Sequence, residues 1–94
     1  MMSKVPIELG KVEEKQRDMQ SLRVAMAAEL DAINLYEQLA AQTIDVVLKR
    51  VLFDVAREEK THLGEFQEML LAMDAEQVKE LEKAKGEVKE LREE

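Results

Sequence analysis

Two stretches decide the fold: RVAMAAELDAINLYEQLA at residues 23–40 and DVAREEKTHLGEFQEMLL at residues 54–71. Neither holds a proline, and in both the apolar residues recur at steps of three and four, the period of one helix face. In the first, Leu22, Met26, Ile33, Tyr36 and Ala40 share a face, while Val24, Ala28, Leu35 and Leu39 share another. A helix apolar on two sides touches more than one neighbour. In the second, the seam runs through Leu48, Leu52, Val55, Glu59, His62, Phe66, Met69 and Met73. Its steps alternate between four and three, a heptad rhythm that predicts nearly parallel packing in a bundle. The only break between the two runs is Thr43-Ile44-Asp45-Val46, in which Thr43 or Asp45 can cap the following helix. So short a link makes the helices antiparallel.

Working outward, residues 1–15 read as a polar arm punctuated by Pro6 and Gly10, residues 16–73 as the hairpin, and residues 74–94 as a C-terminal helix for assembly. Asp74 with Gln77 three residues on resembles a capping box and starts that last helix. Its apolar stripe, Val78, Leu81, Val88 and Leu91, is thin, and Gly86 weakens it. Glu76 with Lys79 and Glu82 with Lys85 add helix-surface ion pairs. The fold class expected is all-α: an antiparallel two-helix hairpin plus a C-terminal helix, dimerising into a four-helix bundle.

Composition narrows the function. The 94 residues carry 14 Lys and Arg against 21 Asp and Glu, a formal charge of −7. That sign disfavours nucleic acid and anionic membrane as partners. Cysteine is absent, which excludes disulfides, zinc–thiolate sites, iron–sulfur clusters and thiol catalysis. No apolar run reaches the roughly 18 residues of a membrane span, and the N-terminus lacks a secretory apolar core, so a cytoplasmic location is expected. Hydrophobic residues make up 46% of the chain, yet it holds only one Tyr, two Phe and no Trp. A chain this short, drawn out in long helices, leaves apolar surface for other copies to cover.

Three residues on the seams carry chemistry. Glu29 stands between Met26 and Ile33, where an apolar residue belongs. Glu59 and His62 stand between Val55 and Phe66, three apart and on one face. With the turn at Ile44, Glu29 lies 44 − 29 = 15 residues before it and Glu59 lies 59 − 44 = 15 after it. At a rise of ~1.5 Å per residue both sit ~22 Å from the turn, at one level of the hairpin. An unpaired carboxylate on an apolar seam costs several kcal/mol or takes up a proton, so two of them beside an imidazole call for a shared cation. A surface E-x-x-H is the plain alternative for Glu59 and His62. Carboxylate-bridged di-metal bundles use one Glu from each of two helices and an E-x-x-H pair from each of the other two. One chain supplies half of that set. Two chains about a two-fold axis supply all of it, and four carboxylates with two neutral imidazoles balance two divalent ions. Oxygen and imidazole donors without thiolate suit iron, two per dimer, with manganese or zinc as substitutes. Tyr36, seven residues after Glu29 on the same face, is either a core tyrosine or a donor that orients a ligand carboxylate. Met26, Met69 and Met73 read as core filler, and Glu58 as a solvated side chain off the seam.

These stretches, with 30 residues from Glu29 to Glu59 and three more to His62, resemble the encapsulated ferritins of the ferritin and rubrerythrin superfamily, from about Leu22 to Leu91. The resemblance implies a ferritin-like four-helix bundle formed by two hairpins, with a di-iron ferroxidase centre between them. It implies catalytic and metal-binding roles for Glu29, Glu59 and His62, and further assembly into rings, commonly decamers. It also implies oxidation of Fe(II) to Fe(III), for iron storage or detoxification within an encapsulin shell. The sequence departs from the family pattern at Ala28, Asp31 and Leu35, where many members have an acidic outer iron site and an aromatic residue. Asp31 alone remains as a weak entry site. The last residues, Leu91-Arg92-Glu93-Glu94, do not match the peptide by which members dock in the shell. A truncated chain, a longer fusion, or action without a shell would each account for that. Two other readings stand beside this one: a non-catalytic metal-binding helical oligomer, and a rubrerythrin-like di-iron peroxidase, which the missing cysteines disfavour. A plain coiled coil would tolerate leucine at Glu29 and Glu59.

Overall fold

The computed structural model describes residues 13–94, so most of the expected N-terminal arm lies outside the described residues. Three helices follow in order: α1 (Glu14–Gln42), α2 (Val46–Met73) and α3 (Ala75–Glu93). α1 begins two residues earlier than the periodicity of its apolar positions indicates. Glu14, an exposed residue of high helix propensity, extends it without needing a packed face. Among the described residues there is no strand.

The reversal between α1 and α2 is built by two side chains with different tasks. Thr43 ends α1: its hydroxyl donates to the Leu39 carbonyl at 2.6 Å, and its backbone N–H donates to the Ala40 carbonyl. Asp45 starts α2, its carboxylate accepting from the Leu48 N–H at 2.8 Å. Of the two caps offered by the sequence, Asp45 therefore serves α2. Ile44 between them is 96% exposed and adds nothing to the core.

α1 and α2 pack along their length, and the buried residues Ile33, Ala40, Ala56 and Leu70 all lie on their shared faces. Two of the four are alanines, so the helices approach closely but bury little volume. Ala56 and Leu70 stand beside the expected α2 seam rather than on it, and no residue of that seam is buried. Leu48, Met69 and Met73 are exposed, against the expectation that the methionines fill a core. At ~100° per residue, Val51, His62 and Met69 share one side of α2, next to the face that meets α1. Leu35 is exposed as well. Among the described residues, Leu35, Leu48, Val51, Met69 and Met73 are thus apolar side chains that the hairpin leaves exposed.

α3 stands apart from the hairpin. It has no buried residue and meets α2 over a short stretch. Its one expected and observed surface pair joins Lys85 to Glu82 at 3.2 Å. The radius of gyration, 16.9 Å, exceeds the ~12 Å of a compact domain of this length. Extents of 46 × 45 × 21 Å describe a flat, angled molecule. No helix is long and apolar enough to cross a membrane, among the described residues.

Candidate metal centre

Glu29 projects from the middle of α1, and Glu59 and His62 from the middle of α2. Equal distance from the turn brings them to one level, as the residue count requires. One ligand atom from each lies within 4.8 Å of the other two, and among the described residues this is the one such group of His, Asp and Glu. His62 Nδ1 is 3.7 Å from Glu59 Oε1 and 3.8 Å from Glu29 Oε2. Both separations exceed hydrogen-bond range. Two donors on one ion at ~2.1 Å are at most ~4.2 Å apart, so a cation would draw the three together with small side-chain adjustments.

The carboxylates are sheltered and the imidazole is not. The side chains of Glu29 and Glu59 are 18% and 19% exposed, and that of His62 is 48% exposed. Glu29 Oε2 is buried with no hydrogen-bond partner. A buried carboxylate oxygen left bare is costly, and the neighbouring carboxylate worsens it. Glu59, which can bond to Glu29 only by sharing a proton, pushes the Glu29 carboxyl above its ordinary value. Burial and repulsion from the Glu59 charge act in the same direction, and His62 partly offsets them. The apo site is therefore frustrated in its carboxylates, and a divalent cation relieves both the orphaned oxygen and the repulsion. The residues fit the metal they would hold: hard oxygen donors with one imidazole suit iron or manganese.

The other expected residues fall outside this group. Tyr36 is half-buried, two turns along α1 on the face of Glu29. Asp31 is half-buried and already has a polar interaction, and its position is turned by ~200° around α1 from Glu29. Glu58 is exposed. Sequence reasoning missed the ion pair between Lys60 on α2 and Glu37 on α1, 3.3 Å long, which ties the helices together near the site. By count about Ile44 the two lie at different levels, 7 residues before the turn and 16 after it, so the rule that pairs Glu29 with Glu59 could not have found them.

A helical hairpin with a glutamate on one helix and an E-x-x-H pair facing it on the other carries half the ligand set of the carboxylate metal bundles. The chain belongs to the encapsulated ferritin family, whose EncFtn-like model matches residues 5–89. It is 56% identical over 77 residues to a ferritin-like-encapsulin shell fusion protein of Pyrococcus furiosus. That match covers 82% of this chain, which spans 22% of the relative's length. The crystal structure of an encapsulated ferritin domain from Pyrococcus furiosus is similar throughout. Its TM-score is 0.82 at 50% identity, covering 97% of this chain and 95% of that one.

Proposed function

We propose that the chain is a ferroxidase, oxidising Fe(II) to Fe(III) at a di-iron centre between two copies, for iron storage or detoxification with an encapsulin shell. One observation carries the reading: Glu29, Glu59 and His62 converge at mid-hairpin while Glu29 Oε2 is buried and bare. Three donors per chain make half a centre, and the exposed Val51 and Met69, on the same side of α2 as His62, offer apolar surface to a second hairpin that closes it. Iron is substrate here, each Fe(II) giving one electron to dioxygen or peroxide.

The residues divide the work. Glu29 and Glu59 from both copies hold the divalent substrate and favour the higher charge of the product. The His62 imidazoles complete each ion's donor set as neutral ligands and leave positions open for the oxidant. Tyr36 lies on the Glu29 face, where its hydroxyl can orient a carboxylate across the closed bundle. The Glu-rich surface favours approach of cations, and Asp31 is a weak contributor to it. α3 joins such pairs into a larger ring through its exposed stripe. The relative's fusion to an encapsulin shell supports the association proposed here, with the product laid down inside the shell.

Oxygen uptake during anaerobic-to-aerobic transfer with Fe(II) tests the reading. The wild-type chain should oxidise Fe(II) faster than buffer, and Glu59→Ala and His62→Ala should lose the acceleration. Bound metal without oxygen uptake would instead mark a non-catalytic metal-binding oligomer.

A further inference from the structure

Asp74 is the one residue between α2 and α3, and each of its polar groups is engaged. Its N–H donates to the Leu70 carbonyl at 2.9 Å and closes α2, while its carbonyl accepts from the Val78 N–H at 3.2 Å. Its Oδ1 accepts from the Gln77 N–H at 3.0 Å and caps α3. Its Oδ2 accepts from Arg23 Nη2 on α1 at 2.9 Å. The Asp74 side chain is 13% exposed and that of Arg23 is 50% exposed. Among the described residues, little else holds α3 in place. It has no buried residue, and at its inner end Leu81 shares an open groove with Met26 and Leu71 of the hairpin. A helix of 19 residues is ~28 Å long, so a tilt of ~10° at the pivot moves its far end by ~5 Å. Closed rings tolerate no such drift between successive joints.

We infer that the Arg23–Asp74 ion pair sets the direction in which α3 leaves the hairpin, making Arg23 a positioning residue for assembly through α3. The assembly half rests on the proposal that copies join through that helix. The direction itself does not.

Because the chain has no cysteine, spin labels at Asn34→Cys and Glu87→Cys report the α1–α3 distance directly. Labelled chain is diluted into unlabelled chain so that only distances within one molecule are read. The parent should give one narrow distribution. Arg23→Gln, and Asp74→Asn, which keeps a capping oxygen, should widen it at least twofold with helicity unchanged, and Arg23→Lys should largely restore it. Native mass spectrometry of the unlabelled variants should show pairs retained and larger assemblies lost. An unchanged distribution in Arg23→Gln overturns the inference. A widened distribution with the parent's subunit number overturns its assembly half. A parent that never exceeds a pair sinks the ring reading instead, and the distances still decide whether the ion pair sets the angle.

Discussion

His62 Nδ1 lies 3.8 Å from Glu29 Oε2, across the interface between α2 and α1. The gap is too long for a hydrogen bond and short enough for one ion to bridge. The imidazole, half-exposed, is therefore not there to satisfy the carboxylate within the chain. It stands at the exposed rim of a sheltered acidic pair. In the proposed reading, ions held at this rim take further donors from a second copy, which links metal binding to pairing of chains.

Glu29 should be a residue that function retains at the expense of apo stability. Its carboxyl is held above the ordinary value of 4.5, chiefly by Glu59. Between 4.5 and that raised value the folded chain keeps a proton that the unfolded chain has released. Apo stability therefore falls as pH rises through this window and is fully present only below it. Glu29→Gln should unfold at higher urea than wild type at neutral pH, with the difference vanishing below the ordinary carboxyl value. The same variant should lose stabilisation by added divalent metal. A variant less stable than wild type at neutral pH contradicts this.

Asp74 should show the opposite dependence. The Gln77 N–H, then Arg23, hold its carboxyl below the ordinary value of 3.8. Its contribution is present above 3.8 and is lost as pH falls through the lowered value. Circular dichroism during acid titration should show Asp74→Asn losing less helix than wild type in that acid range.

The turn should be separable from the chemistry. Asp45→Ala removes the acceptor for the Leu48 N–H and should cost about 1 kcal/mol of stability. Fe(II) oxidation by the folded variant should be unchanged, because the site lies ~22 Å away along the helices. A selective loss of oxidation at full folding would contradict that separation.

Gly86 should be dispensable within a single chain. A Cβ there meets nothing within 4 Å, and a glycine inside a helix costs about 0.5–1 kcal/mol relative to alanine. Gly86→Ala should raise the helicity and thermal midpoint of the monomer. A fall only in the assembled protein would place a neighbouring copy against that position.

Much of this was legible in the residues. The antiparallel hairpin followed from two periodic runs and one short break, and the convergence of Glu29 with Glu59 and His62 followed from equal counts about Ile44. What local sequence could not give were relationships set by tertiary angle. Arg23 and Asp74 are 51 residues apart, and no local pattern announces their contact. Met69 and Met73 fit the heptad seam, yet they are exposed because one neighbour covers less of a helix than the pattern provides for. Periodicity records which faces are apolar without saying what covers them. Helix α1 starts early for a related reason: helix propensity, rather than an apolar face, carries Glu14.

Anomalous diffraction at the iron edge, from crystals grown with Fe(II), tests the central claim most directly. Two iron peaks are expected, ~3.5–4 Å apart, between paired chains and ringed by Glu29, Glu59 and His62 of both. Iron bound elsewhere, or a lone peak on each chain with no second copy facing it, would contradict it.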